Sequence, residues 1–153
     1  MQISNYLPAY AADFKALNIE WLETYFYVEA YDNEVLSNPE KYIISKGGHI
    51  FFALIDEKVV GTVALMPMKE PNVYELTKMA VDTSIRGKGI GQKLMEHCIA
   101  FAKAENAPKL ILYSNTILEN AIHIYKKWGF VEIPLETTSN YDRANIKMEL
   151  LLK

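Results

Sequence analysis

The run Val81-Asp82-Thr83-Ser84-Ile85-Arg86-Gly87-Lys88-Gly89-Ile90-Gly91 constrains this chain more than any other stretch. A strand-like segment from Val73 to Val81 leads into it, and a helical pattern from Gln92 to Ala104 leaves it. A helix that starts from such a loop carries backbone N–H groups with no carbonyl partner, all aimed out of its N-terminus. Together with the helix dipole they make a cradle for a phosphate or pyrophosphate. The glycines let main chain come close to the anion, and Arg86 and Lys88 add positive charge. The loop reads as a holder for a phosphorylated ligand.

Two common phosphate loops do not fit. A Walker loop needs Gly-Lys followed by Ser or Thr, but here Gln92 and Lys93 follow Gly91. A dinucleotide fingerprint needs a third glycine where this chain has Gln92 or Leu94. The pattern that fits is Arg-x-x-Gly-x-Gly, formed by Arg86, Gly89 and Gly91.

The remaining elements follow from periodicity. Met1 to Leu7 reads as a short strand, and Phe14, Leu17, Trp21, Leu22 and Tyr25 recur at helical spacing. A second helix is predicted within Tyr27 to Ser45, interrupted by Asn38-Pro39. His49 to Ile55 and Val59 to Met66 form a hairpin about Asp56-Glu57-Lys58. After the long helix, Lys109 to Tyr113 is a strand and Leu118 to Trp128 a helix stopped by Gly129. Phe130 to Leu135 and Ala144 to Leu152 complete the set. The order β-α-α-β-β-β-α-β-α-β-β implies an α/β fold, a mixed sheet with helices on both faces. With no linker, repeat or low-complexity run, residues 1–153 are expected to form a single domain.

The loop and its surroundings resemble the GNAT superfamily of N-acetyltransferases. Glu75-Leu-Thr-Lys-Met-Ala-Val81 is similar to the family's fourth strand and Lys109-Leu-Ile-Leu-Tyr-Ser-Asn115 to its fifth. Ala121-Ile-His-Ile-Tyr125-Lys-Lys-Trp-Gly129-Phe130 is similar to the signature that follows. The resemblance implies a GNAT-like fold whose central strands splay to admit acetyl-CoA as acyl donor. It also implies direct transfer of an acetyl group to a primary amine within a ternary complex. Backbone amides of Gly87, Lys88, Gly89, Ile90 and Gly91 would hold the pyrophosphate. Val81 would pair with the pantetheine arm, and the Met79 N–H would face the thioester carbonyl across a bulge. Many members place an asparagine at the position occupied here by Leu118. Asn115 and Asn120 are the candidates to replace it.

Acetyl transfer needs a neutral amine, a donor for the developing oxyanion and a proton for the departing thiolate. Glu75 is the candidate base, with ordered water as the alternative; strand alternation would set Glu75, Thr77, Met79 and Val81 on one face. Tyr125 is the candidate acid, because the resemblance places the family's acid tyrosine there and a phenol with a pKa near 10 can protonate a thiolate. For the acceptor, a small-molecule or peptide amine, the resemblance implies a site at the first two helices, here with Trp21, Tyr25, Phe26, Tyr27, Glu29, Tyr31 and Asp32, and at the loop between the last two strands, here with Ser139, Asn140, Tyr141, Asp142 and Arg143. The alternative for the aromatics is a core between helix and sheet. A non-catalytic acyl-CoA sensor would need the same loop and stays open as the alternative.

Composition excludes several other classes. A net charge of −3 disfavours nucleic-acid binding through bulk charge. No apolar run approaches the roughly 20 residues of a membrane span, and no signal sequence is evident. One cysteine allows no internal disulfide and fits a cytoplasmic protein, with Cys98 expected in the core. His49, His97 and His123 lack ligand spacing, so no metal is expected. The last strand could support a homodimer, as in many relatives.

Overall fold

The structure, a computed structural model, describes residues 1–85, 87–136 and 142–152. The chain runs through β1 (Gln2–Asn5), α1 (Ala11–Tyr25), α2 (Ala30–Ser37) and α3 (Pro39–Tyr42) before β2 (His49–Ile55), β3 (Lys58–Pro67) and β4 (Tyr74–Val81). It continues through α4 (Ile90–Ala104), β5 (Lys109–Ser114), α5 (Glu119–Trp128), β6 (Val131–Ile133) and β7 (Ile146–Leu151). Short 3-10 turns precede α1 and β2. The seven strands form a mixed sheet of order β1-β2-β3-β4-β5-β7-β6. The β4–β5 pair is parallel, while the other neighbours run antiparallel.

Each face of the sheet buries its own core. Phe14 and Leu22 of α1, Val35 and Leu36 of α2, and Ile43 pack on Ile50, Phe52 and Ala64. On the opposite face Ile90, Leu94, Met95, Cys98 and Ala102 of α4 pack on Phe51, Val63, Leu65, Leu76 and Leu110. Covering on both sides explains the near-continuous apolar runs of β2 and β3. Cys98 is fully buried, and burial pushes its thiol well above the ordinary range, as suits a core residue. No helix among the described residues is long and apolar enough to cross a membrane.

Local chemistry sets the boundaries. Asp56 and Glu57 both take positive φ, 50° and 66°, the two-residue turn whose twist matches its flanking strands. Lys58 therefore already belongs to β3. The segment from Tyr27 to Ser45 is two helices and a 3-10 turn instead of one interrupted helix. Asn38 leaves the helical region, and Pro39, which has no N–H to donate, restarts the chain at the first position of α3. Gly61 fixes how closely α4 approaches the sheet. A Cβ there would sit 2.9 Å from Ile90 Cγ2 and 3.2 Å from Leu94 Cδ1. Glycine at this point lets the first turn of α4 lie directly on β3.

Candidate active site

β4 and β5 pair only at Tyr74↔Leu110 and Glu75↔Ile111, and then part. β5 turns to β7, pairing from Lys109↔Leu151 to Ser114↔Ile146, while β4 stays with β3 as far as Gly61↔Val81. A cleft of about 780 Å³ opens between the diverging strands. Its walls are β4 from Leu76 to Val81, the end of β5 and the starts of α4 and α5, with Trp21, Leu22, Tyr25 and Phe26 from α1 and the residue after it. Its size falls in the range of small-molecule sites, about 300–1,000 Å³.

Inside this cleft β4 carries a bulge. Thr62 pairs with Ala80 and Ala64 with Thr77, so Lys78 and Met79 together oppose Val63. Lys78 takes φ 57°, a left-handed conformation unusual for a residue with a Cβ. The bulge interrupts the period-two alternation expected from sequence. Glu75, Thr77, Met79 and Val81 do not share one face. Met79 and Val81 pack with Leu76 on the α4 side, where a Cβ on Gly91 would lie 3.8 Å from Met79 Sδ. Lys78 reaches α2 on the other side.

The anion loop is closed at its start by Asp82. The Asp82 carboxylate accepts from the Ser84 N–H at 2.9 Å and the Ser84 hydroxyl at 2.8 Å. These bonds, the backbone one first, hold its pKa below the ordinary range. Gly87 and Gly89 take φ 73° and 67°, and a Cβ at either would meet nothing within 4 Å. Both line the cleft. α4 begins just after Gly89, with no side-chain cap and no acidic residue in its first turn. Its N-terminal amides and dipole are thus left without a side-chain cap, with open space beside the glycines. Arg86 lies outside the described residues.

Tyr125 is placed by the way α5 ends. Gly129, at φ 106°, donates its N–H to Lys126 O, and the Phe130 N–H reaches back to Tyr125 O, both at 3.0 Å. This is a Schellman ending, which joins the last turn to a buried residue beyond it. Phe130 is 1% exposed and meets the Tyr125 ring edge-on at 6.0 Å. The tyrosine, glycine and phenylalanine of the signature are therefore one device for setting the phenol in the cleft wall. Burial raises the Tyr125 pKa, so the phenol keeps its proton at neutral pH.

Glu75 does not line the cleft itself; it sits at the closed end, where β4 and β5 are still paired. Burial raises its carboxyl from 4.5 to about 7, with Lys78, the Thr77 hydroxyl and Arg143 drawing it back and Glu136 adding to the rise. Glu136 in turn accepts from Lys147 at 2.8 Å. Burial, and then the hydrogen bond to Glu136, push the Tyr113 phenol up.

Beside Glu75 lies an ionic cluster. Asp32, fully buried, accepts from Lys78 Nζ at 3.2 Å and from both terminal nitrogens of Arg143 at 2.7 and 3.0 Å. It also accepts from the Glu29 N–H at 3.1 Å, and Glu29 accepts from Arg143 at 2.9 Å. Burial alone would raise the Asp32 carboxyl; the Arg143 hydrogen bond and the Lys78 charge prevail and hold it below its ordinary value. Glu29, Asp32 and Arg143, candidates for meeting an acceptor, are thus engaged with one another. The part of Lys78 was not visible in sequence, because strand alternation says nothing of a partner in α2. Ser139, Asn140 and Tyr141 lie outside the described residues.

Met79, Val81, Gly87, Lys88, Gly89, Ile90 and Gly91 share the cleft with Asn115, Asn120 and Tyr125. The Asn115 side chain is already at work, donating to Arg143 O at 2.6 Å and accepting from the Ile117 N–H at 3.0 Å. Asn120 sits exposed in the first turn of α5, where Leu118 precedes the helix.

The model of the acetyltransferase (GNAT) family matches residues 14–130. The chain belongs to that family. It is 33% identical over 99 residues to an N-acetylaspartate synthetase of Xenopus tropicalis, covering 64% of this chain and 36% of that protein. It is 32% identical over 100 residues to human N-acetyltransferase 8B, covering 62% and 44%. The chain thus spans well under half the length of these curated relatives. Among solved structures, a GNAT-family acetyltransferase from Staphylococcus aureus Mu50 superposes with TM-score 0.87 at 24% identity, covering 99% of both chains. An aminoglycoside 6'-N-acetyltransferase complexed with coenzyme A superposes with TM-score 0.75 at 14% identity, covering 100% of this chain and 98% of that one. These likenesses establish the fold.

Proposed function

We propose that this chain transfers an acetyl group from acetyl-CoA directly to a primary amine. The observation that carries the reading is the meeting, in one cleft, of an uncapped helix N-terminus, an unpaired strand edge with a bulge, and a half-buried tyrosine. The diphosphate of the donor sits on the amides from Gly87 to Gly91, and its arm extends β4 as an added strand would. Glu75, set back from the cleft wall, takes the proton of the incoming ammonium through water. The amine lone pair attacks the thioester carbon while the Met79 N–H donates to its oxygen. The carbon–sulfur bond then breaks, Tyr125 gives its proton to the thiolate, and the excess proton on the acylated nitrogen leaves through water, which restores the phenol. The names of the relatives add aspartate and aminoglycosides to the acceptors to try first.

Coenzyme A release measured against a panel of aspartate, N-terminal alanine peptides, polyamines and aminoglycosides tests this. Release stimulated by at least one amine supports transfer. Binding of acetyl-CoA by calorimetry with no stimulated release from any amine would assign the fold to an acyl-CoA sensor instead.

A further inference from the structure

The bulge of β4 is made by a lysine where glycine would be the easier residue. At φ 57° a Cβ crowds the following carbonyl oxygen. Lys78 nevertheless occupies the position, and its side chain is 3% exposed. Its ammonium reaches Asp32 at 3.2 Å and lies 5.9 Å from the centre of the Tyr31 ring. Asp32 in turn ties Arg143, which precedes β7. One side chain therefore joins the acceptor-side helix α2 to the bulge beside which the chemistry is proposed.

We propose that Lys78 is a positioning residue for the acetyl-transfer reaction, locking the bulge to α2 and keeping a cation beside Glu75. This rests on the function proposed above. The groups that face Glu75 among the described residues come from every neighbouring element: Tyr31 of α2, Lys78 and Thr77 of β4, Tyr113 of β5, Glu136 after β6 and Arg143 before β7. After burial, which drives the carboxyl up, Lys78 is the strongest influence and draws it down. Burial also lowers the Lys78 ammonium, and the Asp32 carboxylate opposes that. Without the cation, Asp32 keeps Arg143 as its partner, so the change felt by Glu75 is loss of positive charge. Its proton should then be held more tightly.

The experiment follows the Glu75 carboxyl by carbon NMR titration, its signal assigned with Glu75→Gln. In the unaltered chain the midpoint is expected at about 7. Lys78→Met should raise it by about one pH unit, and Lys78→Arg, which keeps the charge, should leave it in place. The acidic limb of the pH–rate profile should move with it, while the KM for acetyl-CoA stays within twofold. Lys78→Gly, suited to the left-handed backbone, replaces Lys78→Met should the latter not fold, with the same direction expected. A midpoint that does not rise in the Met or Gly variant overturns the proposal, even with a lowered Tm, since that would leave Lys78 a purely structural residue. Should no amine stimulate release in the unaltered chain, the functional reading fails, and the titration still judges whether Lys78 sets Glu75.

Discussion

Glu75 and Tyr125 are both ionisable groups pushed up by burial, yet the consequences differ. A carboxyl near 7 is half ionised at neutral pH and can accept a proton there; a phenol raised above its ordinary value keeps its proton at neutral pH and so has one to give the departing thiolate. Glu75→Gln should therefore abolish the acidic limb of the rate profile, which is expected near 7 in the unaltered chain. Stability gives an independent reading. The folded carboxyl binds its proton more tightly than the unfolded one, so the associated stability is complete below the unfolded value of 4.5 and is lost as pH climbs through about 7. Glutamine cannot ionise, so the variant should gain on the parent by an amount on the order of 2 kcal/mol between about pH 5 and about pH 8. Thermal melts at the two pH values check this; a constant difference would show that Glu75 titrates normally. Tyr125→Phe keeps the ring against Phe130 and removes only the proton. Turnover should fall by about 100-fold with the Kd for acetyl-CoA unchanged, as kinetics and calorimetry would reveal. An undiminished kcat would remove Tyr125 from the reaction.

Elements bring these groups together through their ends more than their middles. The Schellman ending of α5 was legible from Gly129-Phe130, because a left-handed cap leaves a glycine in the sequence. The bulge of β4 was not. Its left-handed residue is a lysine, and Tyr74 to Val81 reads as unbroken alternation. What holds the bulge is a partner in α2, and no pattern within one strand reports that. The break between α2 and α3 announced itself through Pro39, though its outcome, a separate short helix, depends on how the pieces pack. Gly129→Ala tests the helix end. The new Cβ would lie 3.1 Å from Leu150 Cδ1 with φ at 106°, so a loss of about 1–2 kcal/mol is expected from backbone strain alone. Because the same cap orients Tyr125, kcat should drop at temperatures where the variant is still fully folded. A variant that melts earlier but turns over normally would separate the cap from the site.

For the molecule as a whole, the half of the cleft proposed to take the donor is built largely from neighbours in sequence, which is why it could be proposed from sequence. β4, the loop and α4 follow one another, and Gly87 and Gly89 mark left-handed residues of the loop. The half proposed for the acceptor is assembled from α1, α2 and the segment before β7; its Asp32–Arg143 pair joins residues 111 positions apart, and such pairing leaves no local trace. The parted strands predict how the molecule responds to its donor. β4 lacks a strand partner beyond Glu75 on the β5 side, so a ligand arm laid there completes the sheet at its centre. Acetyl-CoA at about 100 times its Kd should stabilise the fold by about 2.7 kcal/mol, equivalent to a rise in Tm of roughly 5–10 °C for a chain of this size. Amides of β4 past Glu75 should slow in hydrogen exchange, while those of β1 and β2, remote from the cleft, should change only by the global amount. Gly89→Ala provides the control, since its Cβ would occupy the open space beside the first turn of α4. That variant should lose most of the acetyl-CoA-induced rise in Tm. Equal protection in parent and variant would mean that the donor is held somewhere other than this helix end.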